Sequence, residues 1–371
     1  EIFREGAERR DFWRSLCPWL HVGDAEFESK ACQAAFPAEA YDSGSLRADL
    51  MNEGYFEILG GRLSWAADIP AIAAGVKQLV SLGLPPICIL AYDEPWVLAM
   101  QLEHLVKATT GGNNLTFDWS AFCLKAAFRA GTDYTATTIA KEAWRLSIDA
   151  RAGLPPHRND DEDCATPAST SCFRSDGSPR CTTFWVALTE ATPHNSCLMV
   201  VPRSQDPGYE ENGHLQRTSP IAAIFRKPGD FQRIRALPAT TGGVIALSHR
   251  ICYWDSAADP RVTEPRIAMA LTAADPDCSA SLLMPTPSEA GVPLLGVRIA
   301  LASAQVLRHA ERENVLSSLS RIDIFWDLFQ RQRSAFSENF RGIVLSSKNI
   351  ACTRLSSQQA QTDLEGDEEH R

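Results

Sequence analysis

The stretch GGVIALSHRICYW, residues 242–254, decides the fold class that the sequence predicts. It starts at a Gly-Gly pair and is short and rich in residues that favour strands. Similar segments are CTTFWVALTEA (181–191), SCLMVVP (196–202) and RIAMALTA (266–273), each bounded by turn-forming residues. Because no helical pattern separates each pair, the segments predict a β-sandwich, jelly roll or barrel and not a doubly wound sheet.

Helical patterns flank this β-rich part. ADIPAIAAGVKQLVSLG (67–83) has Asp68 to cap a helix, a proline in the first turn and Gly83 to end it. DEPWVLAMQLEHLVKATTGG (93–112) repeats the scheme and ends at a Gly-Gly pair. The sequence therefore predicts four parts: a helical N-terminal flank over 1–114, a β-rich core over 115–285, C-terminal helices packed on the core over 286–356, and an acidic mobile tail over 357–371.

The composition is that of a globular protein, with 44% hydrophobic and 22% charged residues in 371. A net charge of −10 without a basic cluster argues against nucleic acid or an anionic membrane surface as the main partner. The longest apolar runs, such as LGLPPICIL (82–90), are too short for a transmembrane segment. We expect an intracellular protein of the cytoplasm or an organelle matrix.

The cysteines support a reducing compartment. There are eleven, an odd number without a C-x-x-C pair, which argues against a disulfide framework or a zinc site. We expect Cys88, Cys123 and Cys197 to fill the core as small apolar side chains.

A jelly roll with a histidine early and a second candidate ligand near its far end raises the hypothesis of a non-haem iron site. Such sites use two histidines and one carboxylate, which leaves positions open for a cosubstrate and oxygen. The first pair usually reads H-x-D or H-x-E, because residues i and i+2 of an extended strand point to the same side. In LPPHRNDDED (154–163) this pair is His157 and Asn159.

Four segments, in this order, resemble the core of the phytanoyl-CoA dioxygenase family: WRLSIDARAGLPPHRN (144–159), FWVALTEATPHNSCLMVVPRSQDPGY (184–209), IRALPATTGGVIALSHRICYWDS (234–256) and PRIAMALT (265–272). The resemblance implies a mainly β fold with flanking α-helices, in which a double-stranded β-helix (jelly roll) forms the core. It also implies iron(II) and 2-oxoglutarate as cofactors, and a small organic or lipid-like substrate, if the chain is an active enzyme.

The resemblance assigns roles to individual residues. His157 matches the first histidine ligand, and Asn159 stands where the family has an aspartate. The family's segment S-H-R-x-x-H-W-G-S here reads SHRICYWDS, so Tyr253 occupies the position of the second histidine ligand. Arg266 matches the arginine that holds the distal carboxylate of 2-oxoglutarate, since a planar guanidinium suits a bidentate carboxylate.

Both departures weaken a metal site. Asparagine keeps an oxygen but loses the negative charge that makes a carboxylate a ligand for hard cations. Tyrosine, with an ordinary pKa of about 10, is a poor ligand near neutral pH unless a cation removes its proton. The sequence therefore predicts severely reduced iron affinity and a non-catalytic or weakly active protein. Its partner would then be another protein, contacted through the flanking helices and the charged tail.

Three alternatives would restore a site. His249 would act as the second histidine, but on one extended strand it lies about 13 Å from Tyr253 at ~3.3 Å per residue, so a bulge or register shift is required. Asp160 or a neighbouring acid would supply the carboxylate if the backbone bends after His157. Another divalent cation would bind the acidic run loosely.

With a restored site, the chain would be an active iron(II)/2-oxoglutarate-dependent oxygenase. A third interpretation is a carbohydrate- or ligand-binding jelly roll unrelated to oxygenases. It shares the β-rich middle of the chain, but it leaves the four ordered segments unexplained.

Overall fold

The computed structural model describes residues 2–27, 36–37, 39–124, 173–209, 224–256, 258–259, 261–275, 295–312, 324–325, 327–328 and 331. In this part of the chain the helices are α1 Ile2–Gly6, α2 Arg10–Leu16, α3 Ser43–Asn52, α4 Ile69–Ser81, α5 Glu94–Thr110 and α6 Leu295–Arg312. Short 3₁₀ turns lie at Gly60–Arg62, Pro86–Ala91, Arg203–Gln205 and Pro228–Arg233.

The strands of the same part are β1 Tyr55–Ile58, β2 Asn114–Leu124, β3 Cys181–Ala187, β4 Leu198–Val201, β5 Arg235–Leu237, β6 Val244–Ser248, β7 Cys252–Asp255 and β8 Arg266–Ala274. They form a five-stranded sheet in the order β1-β6-β3-β8-β2 and a three-stranded sheet in the order β5-β4-β7. Every pairing in both sheets is antiparallel.

The order of the strands is that of a jelly roll. From β3 onward the chain passes from the large sheet to the small one (β4, β5), back to the large one (β6), and then to the small and large sheets again (β7, β8). Helices flank the sheets, so the predicted fold class is confirmed. Within the described ranges the two sheets do not close into a barrel.

Local signals place the helices where the sequence predicts them. The Asp68 side chain caps α4 by accepting a hydrogen bond from the backbone N–H of Ala71 at 3.0 Å. Gly83, just beyond this helix, has a φ of +74°. Helix α5 ends at Gly111, whose φ of 74° is the left-handed conformation that glycine adopts without a steric penalty.

Residues 242–254, expected as one β-rich stretch, are two strands in different sheets. Strand β6 pairs with β1 and β3 in the large sheet, whereas β7 pairs with β4 in the small one. The chain turns between them, where the backbone N–H of Ile251 donates to the carbonyl of Ser248 at 3.0 Å. No single extended strand therefore runs from His249 to Tyr253, because a turn separates the two residues.

The N-terminal flank also contributes to the large sheet. Strand β1 pairs with β6 along its whole length, from Tyr55 opposite Leu247 to Ile58 opposite Val244. Helical patterning did not reveal this strand. The four-part division of the chain stays a prediction.

The two faces of the large sheet pack on different partners. Ile267, Met269 and Leu271 of β8 belong to a core shared with the helices. Ala268 of the same strand belongs to a second core, which also contains Leu198 and Val200 of the small sheet. Because side chains alternate along a strand, Arg266 shares its face with Ala268 and lies between the two sheets.

Two further expectations concern the cysteines and the membrane. Cys88, Cys123 and Cys197 are buried in the apolar cores, as predicted. None of the helices in the described ranges has both the length and the apolar character needed to cross a membrane.

Candidate functional site

The sequence-predicted site residues divide into two groups. His157, Asn159 and Asp160 lie within 125–172, outside the described residues. His249, Tyr253 and Arg266 lie in or next to β6, β7 and β8. In the described part of the chain, the candidate site is therefore defined by this second group.

Arg266 is a buried cation that pairs with a carboxylate of the small sheet. Its side chain is only 1% exposed. Nη1 donates to Oδ1 of Asp255 at 2.5 Å and to the carbonyl oxygen of Ser196, also at 2.5 Å. The guanidinium carbon lies 5.4 Å from the centre of the Trp185 ring, a cation–π distance. The ion pair thus joins β8 to β7 across the space between the sheets.

The guanidinium is not fully used by these contacts. Its Nε is buried and has no hydrogen-bond partner. A buried donor left without an acceptor costs about 1–3 kcal/mol. The Nε–H group of Arg266 could therefore donate a hydrogen bond to one further acceptor.

A constrained turn supplies the second acceptor. Ser196 has a φ of 77°, in the left-handed region that residues other than glycine seldom adopt. The turn before β4 is held by the backbone N–H of Cys197, which donates to the carbonyl of Thr192 at 2.9 Å. The Asn195 side chain accepts from the backbone N–H of Thr192 at 2.6 Å. These bonds fix the Ser196 carbonyl in place beside Arg266.

Asp255 is the site residue that the sequence analysis did not identify. It lies opposite Leu198 in the pairing of β7 with β4, and Tyr253 lies opposite Val200. Residues 253 and 255 therefore share the face of β7 that turns towards the large sheet. The signal that points to Asp255 is its place in SHRICYWDS, where the resembled segment S-H-R-x-x-H-W-G-S has a glycine.

His249 lies in the turn between β6 and β7 and is 2% exposed. Its Nδ1 is 3.0 Å from the carbonyl oxygen of Cys181. Because a carbonyl only accepts, Nδ1 carries the proton and donates. Burial is the main cause that lowers the pKa of the ring to about 4; the bond to the Cys181 carbonyl acts in the opposite direction, and the charge of Arg250 contributes to the lowering. His249 is therefore a neutral imidazole at pH 7.

Tyr253 packs against an apolar core. Its half-buried side chain packs against the core between the sheets, the core that includes Val200 and Ala268. The position predicted for a second histidine ligand therefore holds a phenol beside aliphatic groups.

The fit of an iron centre can be tested on these residues. A centre of this kind needs two histidines and a carboxylate on one face of the metal. Across the described ranges, no three His, Cys, Asp or Glu side chains are grouped so that they could hold a metal ion. The described residues therefore do not make such a centre by themselves.

The fit of 2-oxoglutarate can be tested in the same way. The arginine expected to hold its distal carboxylate already pairs with the carboxylate of Asp255. As placed, Arg266 does not fit an external carboxylate at Nη1.

Comparison with known protein families gives one match. The model of the family described as phytanoyl-CoA dioxygenase matches residues 121–231. Over this part, the chain is similar to that family. The match confirms the resemblance predicted from the sequence. It covers less than half of the chain, includes His157 and Asn159, and ends before β6, so it does not reach Tyr253 or Arg266. No curated protein matches the chain.

Solved structures of low sequence identity are similar to this chain. The epimerase SnoN in complex with Fe³⁺, α-ketoglutarate and nogalamycin RO is 17% identical, with a TM-score of 0.45 over 68% of this chain and 95% of that one. The carbocyclase SnoK from nogalamycin biosynthesis is 15% identical, with a TM-score of 0.43 over 70% and 96%.

HygX from Streptomyces hygroscopicus, with nickel and 2-oxoglutarate bound, is 12% identical, with a TM-score of 0.41 over 62% of this chain and 86% of that one. The iron and α-ketoglutarate bound to SnoN are the kinds of cofactor that the resemblance implies. At such identities and TM-scores the likeness carries no activity over to this chain.

Proposed function

We propose that this phytanoyl-CoA dioxygenase-like chain has a degenerate iron site and acts as a binding or accessory protein. The observation that carries the proposal is the setting of His249. This histidine was the candidate to replace the ligand missing at Tyr253, and its ring is buried and bonded to the carbonyl of Cys181.

Recruiting His249 to a metal would be costly. Turning the ring would break its bond to the Cys181 carbonyl and leave a buried acceptor unpaired, at a cost of about 1–3 kcal/mol. This supports Tyr253 as the residue at the second ligand position. A tyrosine there, together with Asn159 in the place of an aspartate, leaves His157 as the one ordinary ligand of the resembled set.

An anaerobic titration with iron(II) or manganese(II) in the presence of 2-oxoglutarate tests the proposal. We expect no tight stoichiometric binding by the wild-type chain. The double variant Asn159→Asp/Tyr253→His restores the ligand types of the family. Its metal affinity should rise at least about 100-fold, because even partners outside the ligand shell change metal affinity about 10- to 100-fold.

A third substitution separates the two histidine positions. Adding His249→Gln to the double variant should leave its metal affinity unchanged, since the ring is bonded to Cys181. Tight stoichiometric metal binding by the wild-type chain would contradict the proposal. If His249→Gln alone abolished such binding, His249 would be identified as the replacement ligand.

One observation favours a second candidate, an active iron(II)/2-oxoglutarate-dependent oxygenase acting on a small organic or lipid-like substrate. Arg266 is buried on the face between the sheets, where the resemblance expects the cosubstrate arginine. Conversion of 2-oxoglutarate to succinate by the wild-type chain with iron and ascorbate, even without substrate, would establish this candidate over the degenerate site.

The proposal also covers the binding partner of the protein and its cellular compartment. A degenerate site leaves another protein as the partner, contacted through the flanking helices. The six cysteines in the described part, which include Cys17 and Cys181, are all buried, and this supports a reducing intracellular compartment.

A further inference from the structure

We propose that Asp255 is an internal carboxylate that occupies the arginine pocket and closes Arg266 to free 2-oxo acids and other dicarboxylates. The inference rests on the proposed function, since it describes how this same site came to be closed to a cosubstrate. It concerns carboxylate binding alone, so its test requires no metal.

The contacts make Asp255 the equivalent of a bound ligand. A buried guanidinium needs a compensating negative charge, and the carboxylate of Asp255 provides it at 2.5 Å. In this pair the Asp255 side chain is 20% exposed and Arg266 is 1% exposed. A carboxylate arriving from solvent therefore meets the negative charge of Asp255 before it reaches the arginine.

The bonding at Arg266 shows that Asp255 fills the pocket only in part. One nitrogen, Nη1, serves both Asp255 and the Ser196 carbonyl, while Nε stays buried without a partner. A carboxylate held by a guanidinium is most stable when two N–H groups donate to its two oxygens. A free dicarboxylate in the same place has an acceptor to offer Nε, whereas the short aspartate side chain leaves Nε unbonded.

The advantage of Asp255 is its tether. A group fixed to the chain next to its partner competes at an effective concentration of about millimolar or higher. Strand β7 holds Asp255 by its backbone pairing with β4, where residue 255 lies opposite Leu198. Free carboxylates at ordinary concentrations are therefore excluded. In the resembled segment this position is glycine, which has no side chain to reach the arginine.

The test uses the full chain without metal and the variants Asp255→Gly and Asp255→Ala. The probes are 2-oxoglutarate and glutarate, followed by titration calorimetry and by the shift of the melting temperature. The wild-type chain is expected to show no binding up to about 10 mM, the range of effective concentration of a tethered group. Both variants should bind at least about tenfold more tightly than the wild type, because the tethered competitor is gone.

Two controls identify the pocket. Asp259→Gly removes an aspartate that pairs with Arg261 at 2.6 Å on the surface, where the arginine side chain is 89% exposed, and it should gain no affinity. Adding Arg266→Met to Asp255→Gly should abolish the gained binding. Affinity that persists without Arg266 would overturn the proposal, since the carboxylate would then be bound elsewhere.

Loss of the buried counter-charge will destabilise the variants, and this provides a second readout. Glutarate should raise their melting temperature in a concentration-dependent manner, while sodium chloride of equal ionic strength should not. If a variant is recovered only unfolded, it should refold in glutarate and not in chloride. The proposal is overturned when neither variant gains affinity, melting temperature or refolding yield from the added carboxylate.

The failures of the two proposals are distinguishable. Tight iron(II) binding by the wild type would overturn the degenerate site and leave the carboxylate experiment as it stands. No response of the Asp255 variants to carboxylates would overturn the internal ligand, whatever the outcome of the metal titration.

Discussion

Replacing Arg298 by methionine is expected to lower the free energy of unfolding by about 3–5 kcal/mol, the usual cost of removing one partner from a buried ion pair. Arg298 of α6 bonds to Asp93, and the two side chains are 1% and 0% exposed. The guanidinium carbon also lies 5.6 Å from the centre of the Trp96 ring. Methionine keeps the apolar volume and removes the charge.

The loss is large because Asp93 joins three parts of the chain. Its carboxylate accepts from the backbone N–H of Gly23 at 2.7 Å and of Asp24 at 2.8 Å. Its backbone N–H donates to the carbonyl of His21 at 3.0 Å. Without Arg298, a buried negative charge would remain between the N-terminal segment, α5 and α6.

Urea denaturation measures the effect, as a lower midpoint with an unchanged slope. The matched control is Lys77→Met, which breaks the exposed pair of Lys77 with Glu264 at 2.8 Å and should cost about 0–1 kcal/mol. Adding Asp93→Asn to Arg298→Met should recover part of the loss by neutralising the carboxylate. If Arg298→Met and Lys77→Met lowered the free energy of unfolding equally, burial of the Arg298–Asp93 pair would not increase its contribution to stability.

The elements that the sequence predicted well are those specified locally. Asp68 before α4 and Gly111 after α5 are capping signals that act within one turn of the helix, so neighbouring residues are enough to find them. The strand segments could be found because β-branched and apolar residues cluster between turn residues. Such signals do not depend on which strand lies beside which.

The features that the sequence did not reveal depend on distant residues. The turn at 249–251 contains His249, Arg250 and Ile251 and has no glycine or proline to mark it. In the turn before β4, Ser196 has a φ of 77°, a conformation that a serine in the sequence does not predict. In both places tertiary packing outweighs local preference.

The candidate site also contains a contact between distant residues that the sequence did not predict. Arg266 was found through a family motif, but its partner was not, because Asp255 and Arg266 meet only when β7 and β8 belong to facing sheets. Asp93 and Arg298 are separated by 205 positions in the chain. No local pattern connects such pairs, so the counter-charge of a buried arginine has to be identified from the structure.

His249 is expected to make the protein less stable as the pH falls from about 6.5 to about 4. Burial lowers the pKa of the folded-state ring to about 4, compared with an ordinary value of 6.5. Between these values the unfolded chain takes up a proton that the folded chain does not, so stability rises with pH across this window. At about 1.4 kcal/mol per pH unit, the contribution is about 3 kcal/mol.

Other groups titrate in the same range, so the prediction is a difference between two proteins. Glu94, for example, has its pKa raised by burial and acts in the opposite sense, because its neutral form is favoured in the folded state as the pH falls. The variant His249→Gln keeps a side-chain donor for the Cys181 carbonyl and has no titrating ring. Comparing its unfolding free energy with that of the wild type at each pH isolates His249.

The expected result is a difference curve that changes between pH 6.5 and 4 and is flat above pH 7. A flat curve throughout would mean that the ring is protonated in the folded protein as readily as in the unfolded one, and His249 would then be accessible to solvent. Such a ring would also be available to a metal, so this measurement bears on the proposed function without any metal being added. A full shift of about 3 kcal/mol instead fixes His249 as a buried neutral donor, and this leaves Tyr253 at the second ligand position.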